Sequence, residues 1–218
     1  MLRGYAVKAK RTIWRPLALG TVLGFLSFVS SAVDFLIPLG FSGVAAGPQE
    51  IPLTMSAAIG GPLGLFVSSL LHELGIYFFL LNPEFSPGQM SSTGILFAAA
   101  DFLAHVLALL TVAFCYRFLH QRTQKVITQM AGWILIIAIY YTLLVLLQSL
   151  LVGAVVPGTP PFSTLFQNFL PEFQVTLIIT TLILLALPRR LRKPLWYKSQ
   201  LTADGNSRGN GQEKERAL

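Results

Sequence analysis

The side chains able to do chemistry are few, and nearly all are acids or imidazoles set in apolar surroundings: Asp34, Glu50, His72, Glu73, Glu84, Asp101, His105 and Glu172. His72 and Glu73 open the pattern His-Glu-x-x-His, in which two histidines one turn apart hold zinc and the glutamate acts as base. The second histidine would have to stand at position 76, which is Ile76, so the motif is not formed. Asp101 and His105 lie four residues apart, a spacing that puts both on one helical face, where the carboxylate can orient the ring. A zinc site from His72, Asp101 and His105 is conceivable on residue type, but the spacing carries no specific signature. No metal, cofactor or catalytic residue is assigned. The chain has no Gly-rich phosphate loop, nucleophile elbow or His-rich tract, and it is expected not to be an enzyme. Against any ligand role stands a structural one: an Asp-His pair that only holds helices together, with Asp34, Glu50, Glu84 and Glu172 as interfacial carboxylates.

The surroundings of these groups decide how they are weighed. Of 218 residues, 54% are hydrophobic and 11% charged, and the mean hydropathy is +0.66, more than the core of a soluble domain of this size requires. The formal charge of +7 would suggest nucleic acid if it lay on a soluble face. Instead all 16 Lys and Arg residues fall in three blocks, at 3–15, 117–125 and 189–216. The bias of basic residues toward short cytoplasmic segments assigns all three blocks to the inside. Nucleic acid is therefore excluded as a partner, and the lipid bilayer takes its place. The single cysteine, Cys115, has no partner for a disulfide or a paired-cysteine metal site.

Parity then organises the chain. Between inside blocks it must cross an even number of times, and apolar stretches at 126–153 and 169–188 satisfy the second interval. The first interval holds stretches at 16–39, 51–81 and 95–116. A single helix over 51–81 would be about 46 Å long, well beyond a hydrocarbon core of about 30 Å. Gly60, Gly61 and Pro62 stand where it should break. The expectation is an all-α polytopic membrane protein of about six transmembrane helices, N-in and C-in, with a short or partly re-entrant second helix at 41–59 and a third at 62–81. The domains are a basic cytoplasmic head at 1–16, a membrane domain at 17–198 and a disordered polar tail at 199–218. The first stretch, about 22 residues long, is too long for a signal-peptide core and is expected to be retained. Trp14 and Trp196 fit the cytoplasmic interface.

On this topology the acids lie in the outer half or at the outer ends of the spans. Ionisable groups within spans cost about 2.5–3.5 kcal/mol each on insertion scales, so function is their default reading. No Lys or Arg is available there to pair with them. An outward-facing, water-accessible pocket attracting a cation explains the arrangement, with Glu73, Asp101, His105, His72 and Glu172 as its substrate-binding residues. On helix 1, Gly20, Gly24, Ser27 and Ser31 recur at spacings of four, three and four and make one flat face. Such a face lets helices approach closely in lipid, either within the protein or in docking to another membrane subunit.

The basic head, the small-residue face, the short second helix and the segment IPLTMSAAIGGPLG at 51–64 leading into helix 3 resemble the substrate-binding S components of energy-coupling factor (ECF) transporters. The resemblance covers nearly all of 16–198, in pattern more than in identity. That family usually carries an Ala-x-x-x-Ala surface on helix 1, where this chain has Gly20 and Gly24. The resemblance implies a vitamin or metal captured from outside, in a pocket between the outer halves of helices 4 to 6. It implies a prokaryotic cytoplasmic membrane, and transport energy supplied by a transmembrane scaffold subunit and an ATPase pair. The acidic, aromatic character of the site suits a small cationic substrate such as a thiamine-like compound. A similar Gly-Gly-Pro-Leu segment occurs in membrane input domains of sensor histidine kinases. The alternative is therefore a membrane sensor or structural protein acting through helix-helix contacts.

Overall fold

Apolar stretches of bilayer length can satisfy their backbone groups in lipid only as helices or closed barrels, and the elements here are helical. The computed structural model describes residues 2–36, 48–80, 92–123 and 125–197, with side chains over 13–30, 48–76, 95–123 and 125–196. The elements are α1 (Leu2–Leu36), α2 (Glu50–Met55) continued by a π-helical turn (Ser56–Gly60), α3 (Gly61–Leu80), α4 (Ser92–Arg122), α5 (Val126–Val155), α6 (Phe162–Ala186) and a 3-10 turn (Leu195–Tyr197). Five helical stretches are long and apolar enough to cross a membrane: Ile13–Ser30, Glu50–Ile76, Ile95–Arg122, Val126–Val155 and Phe162–Ala186. Large apolar side chains line their outer surfaces, among them Val22, Phe25, Leu135, Leu150, Ile178 and Leu182. The chain is a multi-pass helical membrane protein.

The stretch Glu50–Ile76 is not straight. Gly61 has φ 69° and ψ −159°, a conformation open in practice only to glycine. There the chain turns back on itself. A Cβ on Gly64 would lie 3.3 Å from the Ser56 hydroxyl oxygen, although eight residues of continuous helix would separate the two by about 12 Å. The expected break at Gly60-Gly61-Pro62 is therefore present, and the arm before it folds against α3. Residues 41–47 of the expected second helix, the side chains of Ser31 and Asp34, Glu84 and the tail at 199–218 lie outside the described residues.

Successive contacts give the directions of the helices. Gly20 meets Gly64, Gly24 meets Ser68 and Phe28 meets Gly75, so α1 and α3 run parallel. Gly132 meets Leu119, Trp133 packs on Tyr116 and Gln148 reaches Asp101, so α4 and α5 run antiparallel. Trp133 bonds Thr180 and Tyr141 bonds Thr176, so α6 reverses again. At one end of the bundle, Trp196 fills the space beside Gly61, stacks edge-on with Phe114 and lies under the Arg117 guanidinium, 4.4 Å from the ring centroid. Tyr116 donates to the Arg192 carbonyl at the same end. The described basic side chains of 117–125 and 189–193 thus gather around one end, beside the hairpin turn.

Three boundaries differ from expectation. α1 runs unbroken from Leu2 rather than starting at 16, because Lys, Arg and Ala within its first part are good helix formers. α4 continues through Arg122 rather than ending at 116, carrying its basic residues beyond the apolar stretch. α6 begins at Phe162, directly after Pro161 in extended conformation at its N-cap, and not at 169. Leu53, Leu65, Leu109, Trp133, Ile137, Tyr140 and Leu184 are fully buried and fill the centre.

Candidate functional site

The hairpin positions the site. Glu50 precedes Gly61 by eleven residues and His72 follows it by eleven, so the fold-back returns both to the same depth. Eleven residues rise about 16 Å, near half of a hydrocarbon core of about 30 Å. α3 contributes His72 and Glu73, and α4 contributes Asp101 and His105. With Glu50 from the arm, these five residues are between 0 and 6% exposed.

His105 sits at the centre. Its Nε2 lies 3.0 Å from Glu50 Oε1, and its Nδ1 lies 3.0 Å from the Asp101 carbonyl oxygen. Both ring nitrogens face acceptors. Nδ1 also approaches Glu73 Oε1 at 3.5 Å and Asp101 Oδ2 at 3.6 Å. From α5, the Tyr140 hydroxyl donates to Glu50 Oε2, and Gln148 Nε2 donates to Asp101 Oδ1 at 2.8 Å. The His72 ring packs edge-on against His105, with centroids 5.1 Å apart.

The tautomer of His72 follows from its partner. The Ser27 hydroxyl donates to the Gln49 carbonyl at 3.0 Å, so it accepts from His72 Nδ1, also at 3.0 Å. The Nδ1 nitrogen then holds the proton, and Nε2 presents a lone pair. That Nε2 is fully buried and has no hydrogen-bond partner. Neither carboxylate oxygen of Glu73 has a hydrogen-bond partner, since the nearby His105 Nδ1 is turned to the Asp101 carbonyl. Buried polar atoms without partners cost about 1–3 kcal/mol each, and ions in a span are costlier still. Glu50, His72 and His105 each offer one ligand atom, all within 4.8 Å of one another, and Glu73, Asp101 and His105 do the same. Chemically the cluster can hold a cation or pass a proton between imidazole and carboxylate. The sequence has no Lys or Arg from 16 to 116 or from 126 to 188, so a lysine or arginine does not balance the three acids from within those segments.

Of the expected site residues, His72, Glu73, Asp101 and His105 come together. The Asp101-His105 contact is made chiefly through the Asp101 backbone carbonyl, with the carboxylate turned to Gln148. Glu172 is buried on α6, one turn before the Thr176 that Tyr141 bonds, and belongs to neither group of ligand atoms. Glu50, expected at the interface, is instead a central member, because the fold-back draws it to the depth of His72. Ser27, Tyr140 and Gln148 were not anticipated as partners. Their signal was limited to polar residues on faces otherwise apolar.

The small-residue face of α1 needs correction as a docking surface. Gly20, Gly24 and Ser27 are buried against the protein's own α3 and the residue before α2, and a Cβ on Gly20 would come within 2.5 Å of the Gly64 carbonyl oxygen. Close packing is what the face provides, within the chain. Among the described residues, those expected to line an outward-facing pocket form, with Glu50, a buried and closely packed cluster, Glu172 apart. Between α5 and α6 lies a pocket of about 110 Å³ lined by Tyr141, Phe166, Phe169 and Phe173 among others, short of the roughly 300 Å³ from which small-molecule sites begin. A larger groove of about 620 Å³ between α4 and α5 lies at the basic end and carries Arg117 and Arg122, the wrong charge for a cation.

Fold and site together define a multi-pass helical membrane protein with a buried carboxylate-imidazole cluster. Comparison with protein families, with curated proteins and with solved structures gave no match.

Proposed function

We propose that the protein is the substrate-capture membrane subunit of an importer of the ECF kind, and that its substrate is a small inorganic cation. The observation that carries this reading is the gathering of Glu50, His72, Glu73, Asp101 and His105 in the bundle centre without a lysine or arginine. Ligand atoms this close leave room for an ion and not for a thiamine-like molecule, which favours the metal branch of the expectation over the vitamin branch. Energy for transport comes, in this reading, from a separate scaffold subunit and ATPase pair.

The proposed topology has six crossings, the second made by the segment that ends in the α2 arm, with both chain ends cytoplasmic in a prokaryotic membrane. Two observations support it. Parallel α1 and α3 require a return between them, and the described basic side chains collect at one end, as the charge bias of cytoplasmic segments demands. Purification from native membranes, with mass spectrometry of co-purifying subunits and of retained metals, tests the function. An ATPase pair together with a retained cation is the expected result. A kinase or regulator without any cation would sink the proposal in favour of a sensor.

A further inference from the structure

We infer that Glu50, His72 and His105 form the primary binding site of a divalent transition-metal ion of the zinc, cobalt and nickel class. The inference deepens the cation reading above and rests on it. Three observations single out this trio. Each side chain offers one ligand atom within 4.8 Å of the other two. The three come from the hairpin arm, α3 and α4, so the site exists only in the folded bundle. The third observation points to a ligand directly: His72 Nε2 is completely buried, carries the lone pair and has no hydrogen-bond partner. An Asp-His pair serving only to join helices gives no use to that nitrogen.

The remaining neighbours hold the ligands in place. Ser27 fixes the His72 tautomer, the Asp101 carbonyl fixes His105 through Nδ1, and Tyr140 orients Glu50 through its second oxygen. Partners of this kind recur around histidine ligands and set ring orientation. Ligands of a tetrahedral ion with bonds of about 2.0–2.1 Å stand roughly 3.4 Å apart, so from separations within 4.8 Å the three groups close by about 1.4 Å at most. On binding, the metal replaces the proton on His105 Nε2, which is released, and Glu50 exchanges its bond to that proton for one to the ion. Glu73 and Asp101, on the other side of His105, supply further negative charge.

Donor type sets the class of metal. Two imidazole nitrogens and one carboxylate suit zinc, cobalt, nickel and their neighbours, whereas calcium takes six to eight oxygens and magnesium keeps its waters. The cluster contains no thiolate, so soft ions such as copper(I) gain nothing there.

Co2+ is the probe, because its visible absorption reports ligand number and type. The full chain in lipid nanodiscs is titrated with Co2+, beside His72→Gln, Glu50→Gln and, as control, His120→Gln, which lies outside the cluster. Thermal unfolding of each variant checks that it is folded. One equivalent of Co2+ per chain is expected for the wild type and His120→Gln, displaced by Zn2+ but not by millimolar Mg2+. Binding should weaken by at least about 100-fold in His72→Gln and Glu50→Gln, the upper end of what even outer partners of a metal cost. If Glu50→Gln does not fold, His72→Gln and the Zn2+ against Mg2+ competition decide. Absence of Co2+ binding, equal binding in His72→Gln, or displacement by Mg2+ overturns the site. Stoichiometric binding without cellular uptake defeats the importer reading and leaves the site standing. Uptake that persists unchanged in His72→Gln does the reverse.

Discussion

Gly61→Ala is the substitution on which the architecture of the site turns. At φ 69° and ψ −159° an alanine is strained by about 1–3 kcal/mol. Its Cβ would also lie 2.4–2.7 Å from Cδ1, Nε1 and Cγ of Trp196, so the indole must leave its seat beside Phe114 and Arg117. Displacing a packed aromatic ring adds roughly 1–3 kcal/mol, for a total of about 2–6 kcal/mol. The two parts separate in a Trp196→Ala background, where the space is open and the dihedral strain of about 1–3 kcal/mol remains. Reversible unfolding in bicelles by a denaturing detergent gives both differences. A second measurement holds even if Gly61→Ala does not fold. With Cys115 replaced by Ser, a Ser56→Cys and Gly64→Cys pair should form a disulfide, since the two positions are adjacent across the fold-back and within reach of that bond. A cost below about 0.5 kcal/mol in both backgrounds, together with no cross-link, would refute the hairpin and with it the meeting of Glu50 and His72.

Three further expectations follow from particular contacts. Tyr140→Phe removes the hydroxyl that donates to Glu50 and should lower stability by about 1.5–3 kcal/mol, as for hydrogen bonds to charged groups; an unfolding free energy within 0.5 kcal/mol of wild type, a margin well below that range, would show the bond to be immaterial. Gly20→Leu forces α1 away from the Gly64 backbone and should unfold or aggregate the protein, seen by size-exclusion chromatography in detergent. A folded variant that binds Co2+ normally yet fails in uptake would restore the α1 face as a docking surface. A cysteine at Ser92, in a Cys115→Ser chain, should react with an impermeant thiol reagent in whole cells; labelling only after permeabilisation would overturn the proposed orientation.

Much of this protein is local enough to read along the chain. Apolar stretches of bilayer length must become helices whatever surrounds them, because no other open-chain structure satisfies the backbone in lipid. The basic blocks and the Gly60-Gly61-Pro62 break carry their meaning in composition and dihedral preference alone. The spacing of Asp101 and His105 places them on one face by helical geometry, and Gly20 and Gly24 announce close packing by their size.

What those signals lack is the identity of the neighbour. Gly20 and Gly24 could not say which backbone they approach, and it is α3 of the same chain. Glu50, standing among Pro48, Gln49 and Pro52, reads as an interfacial carboxylate until the turn at Gly61 carries it to the level of His72. Tyr140 and Gln148 belong to a helix without an Asp, Glu, Lys, Arg or His between 126 and 155, and only the antiparallel packing of α4 and α5, with Glu50 brought in by the hairpin, shows what they bond. Helix formation is decided by residues three and four apart, but the cluster is made by residues up to 90 apart in the chain, Glu50 to Tyr140. Such contacts are properties of the packed bundle, and the tertiary structure alone decided them.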